Sequence, residues 1–248
     1  MNSDEGLRAA VTGLTGLAAA AEQELLAEPR QAAGASAEHG AEHGAGHWAA
    51  APLVAHNTEF RRQQVQRLRA IRCGQAPPEF AEVDHGSAAL YAELSAQPLD
   101  AVARDSWRVA GELAEELRLV SREDLLEPAR NPWLRGRQLW LQVVVRGFWH
   151  PMGHLGEYYL GHGRPRRAVT LAEHAVAAAG YAGAPALARG MASYNLACAR
   201  AGAGQLNEAA AALADAITLN PDVRVNALRD EDLAGVRQAA PVAALLGG

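Results

Sequence analysis

The sequence predicts an all-α protein. Alanine dominates a chain of 248 residues that is 49% hydrophobic, and runs of β-branched or aromatic residues are scarce. Apolar residues recur at helical spacing over long stretches that end at proline or glycine. The length suffices for one large or two small domains with cores of their own.

The elements follow in order. SDEGLRAAVTGLTGLAAAAEQELLAEP opens with Ser3 placed to cap it and with acids in its first turn, and Pro29 stops it. QAAGASAEHGAEHGAG reads as a flexible connector. Its His39, His43 and His47 fall at i, i+4 and i+8, but the glycines disfavour the helix that a metal site at that spacing needs. A second helix runs from about Trp48 to Ile71, with Pro52 tolerated in its first turn, and CGQAPPEF breaks it. A short helix around Ser87 to Ser95 follows, and Asp100 is expected to cap LDAVARDSWRVAGELAEELRLV. SREDLLEPARNP is a loop with its own capped turn. A fourth long helix is expected from about Pro132 to Leu160, ended by GHGRP. Four long amphipathic helices predict an up-and-down or crossover bundle, in which sites form from inward side chains on facing helices.

Composition excludes several chemistries. The net charge is −5 and the isoelectric point about 6.0, with no basic stripe for nucleic acid. All 23 basic side chains counted as Lys plus Arg are arginine. Without lysine there is no Schiff base, pyridoxal-phosphate anchor or Walker-type phosphate loop. Cys73 and Cys198 are the only cysteines, too few for a disulfide framework or a cysteine-rich zinc site. Cys73 lacks a flanking histidine or helix N-terminus to activate it, and no serine elbow motif is present. No stretch approaches the roughly 18 apolar residues of a membrane span, and MNSDEGLRAAVTGL does not read as a targeting segment. A soluble, cytoplasmic protein is expected.

Chemistry concentrates on His56, His150 and His154. In WHPMGHLGEYYL the last two lie one turn apart on one helix face, where two imidazoles can grip one ion. His56, in GHWAAAPLVAHNTEFRRQQVQRL, would supply a third nitrogen from another helix and leave a position for water or substrate. Zn²⁺, Ni²⁺ and Fe²⁺ all suit three imidazoles. Without a metal, the same rings can act as general bases or position a water. Pro151 between the pair removes a backbone donor and is expected to kink the helix, tilting His150 away from His154.

Other residues join this face. Glu157, one turn past His154, either orients an imidazole, moves a proton, or is a solvated helix-end carboxylate. Tyr158 either donates to a developing anion or belongs to the core. Arg146, one turn before His150, either binds an acidic substrate group or forms a structural ion pair. Trp48, Trp107, Trp133, Trp140, Phe148 and Trp149 either line a pocket for a flat ligand or pack the core.

The last third differs. ASYNLACARAGAGQLNEAAAALADAITLNP carries small residues at Ala197, Ala209 and Ala216 and ends at Pro221. Tyr194, Asn195, Leu196, Gly204, Glu208, Ala209, Leu213, Ala216 and Pro221 resemble the pattern of a tetratricopeptide repeat. RRAVTLAEHAVAAAG resembles the second helix of a preceding repeat, and VNALRDEDLAGVR a closing segment. Such a short array cannot bury a solenoid core alone, so it is expected to lean on the bundle, pair with a second copy, or bind a protein partner through residues 165–248.

The first two-thirds carry a second resemblance. VDHGSAALYAELSAQPLDAVARDSWRVAGELAEELRLVSREDLLEP is similar to the middle of the ClbS/DfsB branch of the DinB-like four-helix bundles. HWAAAPLVAHNTEF and FWHPMGHLGEYY are similar to that superfamily's second and fourth helices. The resemblance covers roughly residues 4–163. It implies a right-handed bundle with a three-histidine metal site on His56, His150 and His154, and relatives that are metal-dependent thiol transferases, thiol-dependent isomerases or ring-opening hydrolases of self-protection. Members of this branch need not use a metal.

The expectation is therefore a DinB-like four-helix bundle over residues 1–163 and a tetratricopeptide-like helical hairpin module over 164–248. It is expected to be a detoxification or self-resistance enzyme, adding water or a low-molecular-weight thiol to a small electrophile, with His56, His150, His154 and Glu157 catalytic and Trp48, Arg146, Trp149 and Tyr158 lining the substrate. A catalytically silent adaptor protein is the alternative.

Overall fold

A computed structural model describes residues 3–28, 47–80 and 88–247. The connector with His39 and His43, the capping side chain of Ser3, and Ser87 lie outside what is described. Among the described residues the protein is all-helical, without a strand. No described helix is long and apolar enough to cross a membrane. The chain forms two compact units, Met1–Pro151 and Met152–Gly248.

In the first unit, α1 (Ser3–Ala27), α2 (Ala50–Arg72) and α4 (Leu99–Leu119) pack together, with α3 (Ala88–Ser95) against α2. Helix α4 shows why the sequence folds this way. Val102, Ser106, Val109, Leu113 and Leu117 recur at helical spacing and are all buried. Its outer face pairs Arg104 with Asp100, Arg108 with Asp105 and Glu112, and Arg118 with Glu115, exposed contacts that water and salt screen. Asp100 does not cap this helix. Pro98 is the N-cap, and Asp100 falls inside the first turn, bound to Arg104.

Helix α2 is buried along most of its length, polar side chains included. The fully buried Arg61 pairs with the fully buried Glu22 of α1, and Ser106 donates to the same carboxylate at 3.1 Å. The capped turn after α4 is present: Ser121 Oγ accepts from the backbone N–H of Asp124 at 3.0 Å at the start of α5 (Arg122–Leu126).

The fourth long helix begins later than its periodicity predicts. Pro132–Leu134 is a 3-10 turn, closed by Arg135 and Gly136 with φ of 52° and 86°. Two successive left-handed residues cannot continue a helix, so α6 starts only at Leu139 (Leu139–Val144). A π-helical turn, Val145–Trp149, follows, and α7 (His150–Gly161) continues it.

In the second unit, α8 (Pro165–Tyr181), α9 (Ala186–Gly202) and α10 (Leu206–Leu219) pack in sequence, followed by α11 (Val223–Arg229) and α12 (Ala240–Leu246) against α10. Small residues allow the close approach of α9 and α10. A Cβ on Gly190 would lie 2.5 Å from Asn220 Cβ and 2.9 Å from the Ala216 carbonyl oxygen, while Ala197, Ala209 and Ala216 are wholly buried. Gly204, with φ of 77°, makes the turn between them.

Candidate functional site

The site begins with the π-turn. A proline inside an α-helix clashes with the carbonyl four residues back and lacks the N–H that would bond it. For Pro151 that carbonyl belongs to Gly147, in the middle of the π-turn. The wider turn absorbs the mismatch, so the disturbance expected from Pro151 appears just before the histidine pair and α7 runs on without a break. Gly147 also seats the turn against α1: a Cβ there would meet Thr15 Cγ2 at 2.7 Å and a Leu113 methyl at 3.3 Å.

Two histidines from different helices then meet. The Nε2 atoms of His56, on α2, and His150, at the start of α7, are 3.3 Å apart. His154 follows one turn along the helix that carries His150. One ring nitrogen from each of the three lies within 4.8 Å of the others. His56 is buried and the other two half-buried.

Aromatic rings hold the imidazoles. Trp48, 1% exposed, packs edge-on to His56 with centroids 5.5 Å apart and touches Tyr91. Phe60, one turn after His56, is 4.9 Å from His56 and 4.5 Å from His150. Arg146 lies over the same Phe60 ring, its Cζ 4.6 Å from the centroid. Glu157 Oε2 is 2.9 Å from His154 Nδ1. When the carboxylate accepts a hydrogen bond from Nδ1–H of the neutral ring, Nε2 keeps a free lone pair.

The remaining expected residues are placed as follows. Trp149 is half-buried in the π-turn. Tyr158 stacks on His162, with centroids 4.0 Å apart. Trp140 and Phe148 are core residues, and Trp107 is 60% exposed. Cys73 is exposed. The Cys198 thiol, 3.7 Å from Asp230, is pushed well up by burial and by Asp230 and Asp232, which disfavours the reactive thiolate.

Phe60 and Arg67 escaped the sequence reading. Phe60 stands four residues after His56, as Arg146 stands four before His150, so helical spacing alone places each beside its histidine. Arg67 falls on the same face, two turns beyond Phe60.

No family model, curated protein or solved structure matches the chain. Function is therefore argued from the site.

The three histidines could hold a divalent ion. The 3.3 Å between Nε2 atoms of His56 and His150 equals the spacing of two ligands held on one centre at about 2.1 Å, and imidazole suits Zn²⁺, Ni²⁺ and Fe²⁺ alike. The same separation also suits a hydrogen bond between two neutral rings, one donating and one accepting.

Proposed function

We propose that the protein is a small-molecule enzyme of detoxification or self-resistance, adding water or a low-molecular-weight thiol to an electrophilic carbon at His56, His150 and His154. The observation that carries this reading is the 3.3 Å approach of His56 and His150 with His154 one turn away. Imidazoles from separate helices are rarely brought together by packing needs alone, because each must be desolvated and satisfied.

The residues divide the work. His56, His150 and His154 would hold a divalent ion, which supplies Lewis acidity that lowers the pKa of a bound water or thiol. Glu157 holds His154 in the tautomer whose Nε2 faces the centre. Trp48 and Phe60 wall the imidazoles and exclude bulk water. In the metal-free form, a neutral imidazole takes the proton of the water or thiol while its oxygen or sulfur bonds to the electrophilic carbon. The bond from that carbon to the strained-ring atom breaks, its electron pair stays on the leaving atom, and the imidazolium returns the proton there.

The packing of α1, α2 and α4 with α6 and the π-turn is what supports a four-helix bundle of the DinB-like kind for the first region. The close α9–α10 pair supports the tetratricopeptide-like reading of the last.

The deciding experiment is metal analysis of purified protein together with turnover of an epoxide or cyclopropane probe, with and without a low-molecular-weight thiol. A stoichiometric ion lost on His56→Ala, with loss of turnover, supports the metal enzyme. Turnover by metal-free protein that disappears in His154→Ala supports the imidazole-base form. Neither ion nor turnover refutes both.

Exposed Tyr181, Leu206, Val225 and Leu228 favour one other reading, an adaptor binding a protein through residues 165–248. Its mark is specific capture of a partner that is lost when Val225 and Leu228 become serine.

A further inference from the structure

Near Phe60 lie two arginines that have no acidic partner among the described residues. Arg146 rests over Phe60, the ring that touches both His56 and His150. Arg67, two turns beyond Phe60 on α2, lies with its Cζ 4.9 Å from the Phe80 ring and 5.2 Å from Trp133. Both side chains are half-buried. Among the described residues neither meets a carboxylate, and the one hydrogen bond Arg67 makes runs from Nε to the Pro78 carbonyl at 3.4 Å. Their neighbours behave differently: Arg61 pairs with Glu22, and Arg62 with Glu59 and Asp105.

The cost of this arrangement is legible. Burial lowers the pKa of both guanidinium groups, and the charge of Arg146 lowers that of Arg67 further, so the two stand within each other's field. Aromatic faces attract a cation without neutralising it. Two partly desolvated like charges oppose folding, and an anion between them offsets that cost. Guanidinium presents a planar fork that matches carboxylate and phosphate oxygens. The rings of Phe60, Phe80 and Trp133 add flat apolar walls.

We propose that Arg67 and Arg146 form an anion subsite next to the three histidines, receiving the carboxylate or phosphate group of a flat organic substrate. Its role as a substrate subsite rests on the enzymatic reading above; the binding itself rests on the arginines alone. The electrophile would then be an acid, anchored by its charge with its reactive carbon toward the imidazoles.

The test is calorimetric titration of full-length, metal-stripped protein at a pH about 1.5 units above the ordinary imidazole value near 6.5, where free histidine is neutral. The probes are isophthalate, phenyl phosphate and the uncharged isophthalamide. Wild-type protein is expected to bind one or both anions saturably, more weakly as salt rises, and to ignore the amide. Arg67→Gln and Arg146→Gln are each expected to weaken the anion about tenfold or more. Both variants should melt no lower than wild type, since each removes a like-charge repulsion. His154→Ala should bind as wild type does. The ratio of the two anions tells carboxylate from phosphate recognition. Salt-insensitive binding, equal binding of the amide, or affinity unchanged in both arginine variants overturns the proposal, as does the absence of saturable anion binding. Anion binding without any histidine-dependent turnover would sink the enzymatic reading and leave the subsite standing; turnover without anion binding does the reverse.

Discussion

The Nε2 atoms of His56 and His150 stand 3.3 Å apart across 94 residues of sequence. Replacing either ring by alanine is expected to lower divalent-metal affinity by two orders of magnitude or more, about 2.7 kcal/mol, because each would supply one nitrogen of a small donor set. Titration of stripped protein with Zn²⁺ and Ni²⁺ checks this. Equal uptake by wild type and His56→Ala would remove the metal from the account.

Glu157 is expected to act through His154, 2.9 Å away. Glu157→Gln keeps the size but weakens the charge-assisted bond to Nδ1, and a metal affinity lower by about 10–100-fold is expected. Glu157 is half exposed in its side chain, so the same change should leave thermal stability nearly untouched. A melting temperature lowered in step with affinity would instead mark it as structural.

Gly147 tests the π-turn. Gly147→Ala drives a methyl into Thr15 Cγ2, and overpacking of this kind costs about 1–3 kcal/mol. Thr15→Ser removes that methyl, so the double variant should recover most of the loss in urea unfolding. Additive losses would show that Thr15 is not the obstacle.

The buried Glu22–Arg61 pair predicts strong non-additivity. Glu22→Gln leaves Arg61 charged and unpaired in the interior, a loss of about 3–5 kcal/mol. Replacing both, as Glu22→Leu with Arg61→Met, should lie near wild type or above it. Denaturant unfolding of the three proteins decides.

Two carboxylates give opposite pH signatures. Burial raises the Glu22 pKa, with Arg61 opposing it, so folded protein binds the extra proton and this group's contribution falls as pH rises from the ordinary carboxylate value through the folded one. For Glu116 burial also pushes upward, but hydrogen bonds and charge from Arg72 and Arg69 outweigh it and the pKa is lowered. Its contribution is present above the ordinary value and disappears as pH falls through the folded one. Melting curves of Glu116→Gln should therefore separate from wild type near neutrality and converge in acid.

Much of this was legible in the chain. Apolar spacing in residues 99–119 specifies a helix and its inner face, because only a 3.6-residue repeat puts Val102, Val109, Leu113 and Leu117 on one side. The i, i+4 spacing of His150 and His154 likewise sets them on one face, and the absence of lysine settles which covalent chemistries are missing. These are local properties, governed by backbone geometry and composition. Tertiary packing decided the rest. The left-handed pair Arg135–Gly136, not the hydrophobic pattern, determines where α6 starts. The clash that Pro151 imposes becomes a π-turn only because Gly147 lets that segment press against Thr15. His56 meets His150 through the packing of α2 against that turn, since no local periodicity encodes which distant helices will touch.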